Sequence, residues 1–384
     1  MSQSTAGQHD LQGRRHAPHI PPGAGRCILL HAFDIAHGID LDEAERLISG
    51  ATERVAVRHT RKAPSYFEYS PPPLRITRAA PALELGPFRT TPAVEMVVFD
   101  FGAVSVRFRI DLVGPAPGLL DLAEAVFDSA AVRDEARRQA EALLALLGGA
   151  ARQPRMDPTT EDYAVFHVGA LADGRAPAAL LADNPALVAQ VLRCERQEMS
   201  DDEQRDALAC RVSYGRGDAM LVDWNAAMVL DPDADEAVTV LEFANVELLE
   251  MRILDDRLDA QLEEAYRTLT EQEGRRRWWI LPPRAGVLTR IGRLQVDSAL
   301  LFENVNNALK LIGDQYLARL YRMAATRFHL PERDETIGRK LRTLESIYEK
   351  LSDHQAGVRA DLLEWIIILL IALSIVLPFL GIGK

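Results

Sequence analysis

The spacing of apolar and polar positions divides the chain into a region of short runs and a region of long repeats. Cys27 to Phe33 reads as a strand, Asp40 to Ser49 as a short helix and Arg54 to His59 as a second strand. Pro71, Pro72 and Pro73 then break the chain before an extended piece at Leu74 to Thr77. The clearest β pattern is Val94 to Asp111. There Val104, Val106, Phe108 and Ile110 alternate with Ser105, Arg107, Arg109 and Asp111 after a turn at Phe101-Gly102. This predicts a hairpin with one buried face and with Arg107 and Arg109 pointing outward. A helix over Leu119 to Leu147 follows, then a strand at Tyr163 to Val168 and a helix near Pro185 to Arg193. Ala207 to Leu230 reads as a hairpin turning at Gly215-Arg216-Gly217-Asp218. The Arg-Gly-Asp tripeptide in that turn is explained by what tight turns need. Strands and helices alternate irregularly between adjacent hairpins, which predicts an α+β domain with a mixed or antiparallel sheet over 26–232.

After Pro232 the period changes. Leu241, Ala244, Leu248, Met251, Leu258, Leu262, Ala265 and Leu269 recur at steps of three and four, marking a helix from Glu236 to Gln272. A loop from Gly274 to Gly286 precedes a second helix, about Val287 to Phe328, and Pro331 ends that hairpin. The third helix repeats Ile337, Leu341, Leu344, Tyr348, Leu351, Gln355, Val358 and Leu362 in a heptad seam, the pattern of a coiled-coil stalk over 233–363. This seam is expected to meet partner chains in a homo-oligomer, with Gln355 fixing register. From Trp365 to Gly383 the chain then runs nineteen residues without a charge, about the length that crosses a roughly 30 Å hydrocarbon core. A single transmembrane helix over 364–383, a tail anchor, is the expectation. Basic residues crowd its N-terminal flank and only Lys384 follows it, so the body is expected in the cytoplasm. The expected location is the inner membrane of a bacterium, or the mitochondrial inner membrane in a eukaryote.

Composition narrows this further. The 384 residues carry 44 basic and 56 acidic side chains, a net charge of −12, which argues against recruitment to nucleic acid by bulk charge and against a DNA partner. The three cysteines, Cys27, Cys194 and Cys210, are scattered and offer neither a metal pair nor a disulfide framework. Residues 1–25 are polar and proline-rich, the composition of a flexible tail, and hold no apolar run that could serve as an export signal.

Candidate chemistry is sparse. The sequence has no phosphate-binding GxxxxGK[ST] loop, no GxSxG elbow and no HExxH pair, so an enzyme is the minority reading and no cofactor or metal is expected. Glu247, Glu250, Asp255, Asp256, Asp259, Glu263 and Glu264 line the first long helix, but the Glu-x-x-His partner of a di-metal site is missing, and a solvated face with Arg252 and Arg257 explains them. Asp255 falls at a seam position, which predicts either a pair with a buried arginine such as Arg319 or a polar gap, with Asn245 and Asn306 as similar groups. His167, His329 and His354 stand alone and read as packed or capping residues. The loop residues Arg275, Arg276, Arg277, Trp278, Trp279 and Arg284 could stack on single-stranded RNA or sit on anionic headgroups. The first helix travels roughly 55 Å before the loop and the third roughly 50 Å before Trp365. The two therefore meet at one level, which favours a membrane interface with Trp365.

Three stretches carry a family resemblance: Ala244 to Asp259 (ANVELLEMRILDDRLD), Asn307 to Phe328 (NALKLIGDQYLARLYRMAATRF) and Leu363 to Ile368 (LEWIII). They resemble the required-for-meiotic-nuclear-division family, and the hairpin VVFDFGAVSV fits its N-terminal sheet. The resemblance implies a membrane-anchored, non-enzymatic protein whose eukaryotic relatives sit in the mitochondrial inner membrane, support mitochondrial translation and form homo-oligomers. It implies no catalytic residues. The function expected is an oligomeric scaffold or tether that holds translation machinery such as the ribosome at the membrane. The rival is a ligand sensor or hydrolase with its pocket in the N-terminal domain.

Overall fold

Sixteen residues, His19–Asp34, form the first strand, β1, and its run Cys27–Phe33 lacks regular polar alternation, the mark of a strand covered on both faces. The computed structural model describes residues 18–48, 51–54, 71–274, 296 and 315–379. The chain divides into two compact units, Met1–Glu250 with Asn304–Leu330, and Met251–Glu303 with Pro331–Lys384.

In the first unit β1 is followed by β2 (Gly38–Ile39), α1 (Leu41–Leu47), β3 (Ala51–Arg54), β4 (Leu74–Ala79), β5 (Glu84–Leu85), β6 (Phe88–Arg89), β7 (Ala93–Val98) and β8 (Ala103–Pro115). Next come α2 (Gly118–Val126), α3 (Ala130–Leu147), β9 (Ala151–Arg152), β10 (Thr160–Val168), α4 (Ala179–Asp183), α5 (Pro185–Arg193) and α6 (Asp201–Ala207). The last strands are β11 (Arg211–Val212), β12 (Ala219–Val222) and β13 (Ala226–Leu230), before the long α7 (Asp235–Gly274). After α8 (Gln315–Arg327), α9 (Leu330–Phe379) completes the described helices. The fold is α+β with a large mixed sheet of nine strands in the order β11-β12-β13-β10-β1-β8-β7-β4-β3. Among the described strands of this sheet only β10 and β13 pair in parallel; the other neighbours are antiparallel.

One face of the sheet, with Cys27, Leu29, Val106, Phe108, Phe166 and Met228, shares its core with buried residues of α1 to α5. The other face is covered too. Phe243 of α7 meets Phe99 at a ring distance of 6.2 Å, and Phe328, just beyond α8, meets Tyr163 at 5.1 Å. The expected outward face of β8 therefore needs correction: Arg109 and Asp111 are exposed, but Ser105 and Arg107 are buried under α7. The same cover explains why the first sixteen residues of α7, and α8, belong with the sheet rather than beginning a separate stalk at residue 233.

Two further expectations change. The single helix over Leu119 to Leu147 is two, because Asp128 takes a positive φ of 47° and Ser129 is extended between them. The expected hairpin over Ala207 to Leu230 holds three strands and a second turn at residues 223–225. In the Gly215–Asp218 turn Asp218 accepts from the backbone N–H groups of Tyr214 and Gly215, both at 2.6 Å, a turn-closing role.

The second unit has its own buried residues: Ile253, Leu254, Leu258 and Ala265 on α7, and Ile337, Leu344 and Ile347 on α9. Asp255 pairs neither with Arg319 nor with a gap. Lys340 reaches it at 2.7 Å and Asp259 at 2.6 Å, a charge joining α7 to α9. Pro331 sits in the first turn of α9, where its missing N–H costs nothing. Of the expected seam, Ile337 and Leu344 are buried within one chain and Leu341 is half-buried; the side chains of Tyr348, Leu351, Gln355, Val358 and Leu362 lie outside the described residues.

Among the described residues no helix is long and apolar enough to cross a membrane. This corrects the expected tail anchor, the single-pass topology and the inner-membrane location. The described side chains of that stretch, Ile366, Ile367, Ile368, Leu370 and Ile371, are exposed on α9 and follow the charged Glu364.

The β7–β8 turn yields a test. Gly102 has φ +107°, and a Cβ there would stand 1.8 Å from the carbonyl oxygen of Ala36, whereas Gly114, at φ +121°, has nothing within 4 Å of a Cβ. Urea unfolding of the full chain should show Gly102→Ala losing at least about 3 kcal/mol through forced backbone movement, against about 1 kcal/mol for Gly114→Ala. Equal losses would disprove the close-approach argument.

Candidate functional site

Among the described residues, a dense convergence of polar side chains lies at the β12–β13 turn. The turn is fixed first by its backbone: the Asp223 N–H donates to the Ala226 carbonyl at 2.9 Å, and the Tyr163 hydroxyl donates to the Asp223 carbonyl at 2.8 Å. Asp223 also accepts the Trp224 N–H at 2.8 Å, which leaves the Trp224 ring 55% exposed beside a fully buried carboxylate. Two guanidinium groups close on that carboxylate. Arg193, in the last turn of α5, pairs with it directly, and Arg327, at the end of α8, donates from Nε at 2.7 Å. Both lie over the Trp224 ring, at 5.4 and 5.3 Å from its centre, within cation–π range.

The outer nitrogens of both arginines then meet on α6. Arg193 Nη2 and Arg327 Nη2 lie 2.6 and 2.8 Å from the same oxygen, Oδ2 of Asp206, and Arg193 Nη1 reaches Glu203 at 2.7 Å. Burial pushes the Asp223 carboxyl up against the opposing pull of Arg327, while the hydrogen bond from Arg327 holds Asp206 below the usual carboxylate range. Chemically this is a rigid fork of two cations on a buried counter-ion, suited to holding an anion.

Other buried charges join elements. Under α7, Arg107 pairs with Glu242, Nε to Oε1 at 2.5 Å, and Glu95 lies 3.8 Å away. The Tyr321 hydroxyl of α8 donates to Glu247 of α7, and burial drives that phenol upward. Between the sheet and α5 lies a cavity of about 40 Å³ lined by Leu29, His31, Phe166, Val191, Cys194 and Asn225. That space suits a water molecule, not a ligand of several hundred Å³. Burial, with Arg133 nearby, lowers the His31 pKa to about 4. Desolvation raises the Asp162 carboxyl opposite it on β10. An open depression of about 710 Å³ flanks α6, bordered by Pro185, Asp201, Gln204, Arg205, Leu208 and Arg211.

Of the residues singled out from the sequence, Arg275, Arg276, Arg277, Trp278, Trp279 and Arg284 lie outside the described residues, as does the side chain of Trp365. His167 is a packed histidine whose Nε2 bonds the Asp231 carbonyl at 2.7 Å. Among the described residues no group of three or more His, Cys, Asp or Glu side chains could hold a metal ion. The Arg193–Asp206–Asp223–Arg327 cluster gave no sequence signal beyond an Asp-Trp-Asn turn, since its members are up to 134 positions apart.

Residues 24–236 match the family described as uncharacterized protein MJ0711, N-terminal domain. The chain belongs to this family. The matched residues cover the sheet except the first five residues of β1, α1 to α6 and the first two residues of α7, so Arg193, Asp206, Asp223 and Trp224 fall inside the MJ0711 N-terminal domain and Arg327 outside it. The chain is also 25% identical over 223 residues to uncharacterized protein MJ0711 of Methanocaldococcus jannaschii, over 58% of this chain and 66% of that relative. It thus spans just under two thirds of the relative's length. No solved structure matches the chain.

Two predictions follow from the buried charges. Arg107→Met leaves Glu242 buried without its partner and should cost about 3–5 kcal/mol in urea unfolding, while Arg107→Met with Glu242→Leu should recover most of that loss. Additive losses would refute the pairing. For His31, the unfolded imidazole takes a proton near pH 6.5 but the folded one only near pH 4. The unfolded chain therefore binds more protons between those values, and stability held above pH 6.5 falls as pH drops toward 4, by up to about 3 kcal/mol. His31→Gln should flatten that stretch of the stability–pH curve; an unchanged slope would assign it to other groups.

Proposed function

We propose that the protein is a non-enzymatic scaffold that holds translation machinery, working as a homo-oligomer. The observation that carries this reading is the use made of the buried ionisable groups. Arg107 with Glu242 and Tyr321 with Glu247 each join one element to another. The cavity beside His31 is water-sized. Catalytic sites instead keep such groups in a cleft that admits substrate. The finer family reading belongs here too. The stretches Ala244–Asp259 and Asn307–Phe328 resemble the required-for-meiotic-nuclear-division family, whose relatives serve mitochondrial translation, and this supports the ribosome as partner.

The purified full chain is mixed with ribosomes from its own source and spun through sucrose gradients at about 50 and 500 mM salt. Migration with a ribosomal subunit at low salt, weakened at high salt, is the expected result, because screening at the higher salt shortens the reach of surface charge to a few Å. A chain that stays at the top of the gradient under both conditions overturns the reading.

A further inference from the structure

We propose that α6 is an acidic strap occupying a phosphate-binding site made by Arg193 and Arg327, and that a small phosphorylated solute displaces it. This inference stands apart from the scaffold reading.

The convergence on a single oxygen is the first support. Arg193 Nη2 and Arg327 Nη2 both point at Asp206 Oδ2, at 2.6 and 2.8 Å, and Arg193 Nη1 takes Glu203 at 2.7 Å. Two guanidinium forks meeting on one oxygen, with a further N–H directed at a neighbouring oxygen, reproduce the arrangement that binds a phosphate group. The two carboxylates stand where phosphate oxygens would stand.

The second support is the contrast in fixity between the two sides. The arginine side chains are 15% exposed and anchored from beneath by Asp223, which is fully buried. The carboxylates that cap them are half exposed, Glu203 at 50% and Asp206 at 53%. Asp223 belongs to the fold, whereas Glu203 and Asp206 are exchangeable with solvent anions.

The strap itself has little else to hold it. α6 is seven residues long, and Ala207 is its one buried residue. Ser200 caps it by accepting the Glu203 N–H at 3.3 Å. Before it, Arg196 is clamped to Asp121 and Glu124, and after it Leu208 packs on the core, so both ends are pinned while the middle rests on charge. Segments with few buried apolar contacts open at low free-energy cost. With α6 in place the cluster of Arg193, Arg327, Asp223, Asp206 and Glu203 carries one net negative charge; with α6 lifted, the remaining three groups carry one net positive charge. Displacement thus converts an acidic surface into an anion site and leaves Trp224 beside it as a reporter.

The test titrates inorganic pyrophosphate into the full chain by calorimetry at fixed ionic strength. Glu203→Gln/Asp206→Asn, which weakens the strap, should bind pyrophosphate at least tenfold more tightly than the unaltered chain. Adding Arg193→Lys, which keeps the charge and removes the fork, should reverse that gain. Trp224 emission should shift on binding, and the shift should vanish in Trp224→Phe. Circular dichroism checks folding. Should the double variant fail to fold, Glu203→Gln alone, which removes a charge touching only Arg193, should still tighten binding at least threefold. Equal affinity with and without the strap carboxylates overturns the proposal. So does a gain indifferent to Arg193→Lys, or binding to phosphatidylglycerol vesicles with none to pyrophosphate.

Discussion

The structure depends on one constraint: a nine-stranded sheet whose central strands are apolar on both faces must be covered twice. α1 to α5 cover the first face from within the same stretch of chain. The second cover comes from residues 235–250 of α7 and from α8, separated by 64 residues of chain. Burying Arg107 on that second face requires a charge from the covering helix, and Glu242 supplies it. α7 therefore cannot begin with a uniformly apolar stripe. Its Phe243, Val246 and Leu249 interleave with Glu242, Glu247 and Glu250, all of them buried except Phe243, which is half-buried.

That interleaving explains what the sequence shows and hides. Alternation along β8 correctly identifies Val104, Val106, Phe108 and Ile110 as core positions, and it places Arg109 and Asp111 in solvent. It fails at Ser105 and Arg107, because a polar residue under a charged helix has the same sequence signature as one facing water. The neighbouring run Cys27–Phe33, unalternated, held the missing clue. The break between α2 and α3 was similarly visible only as Asp128-Ser129, a pair that favours turns and caps without demanding them. The heptad count on α9 located Ile337 and Leu344 as buried positions, but a heptad says nothing about whether the covering surface belongs to the same chain.

The candidate site was illegible for a different reason. Arg193 ends a helix whose apolar period explains its other residues, and Arg327 ends another; as single arginines in last turns, both look like ordinary partners for a helix dipole. Only the fold brings them to Asp223. The acidic start of α6, Asp201-Asp202-Glu203, has an equally bland local explanation at a helix N-terminus, and its contact with Arg193 is a tertiary fact.

Three ion-paired junctions among the described residues differ in how water reaches them, and that difference sorts their roles. Arg107 and Glu242 are both shielded, so removing either leaves an uncompensated charge and no solvent anion can substitute. Lys340 is shielded but shared between a mostly covered Asp255 and an open Asp259, a pair that tolerates loss of its outer member. At Arg193 and Arg327 the asymmetry is greatest, with one carboxylate sealed beneath and two open above. Exposed charge pairs contribute little to stability. The open upper side at Asp206 and Glu203 adds little to folding and keeps both guanidinium forks available for exchange.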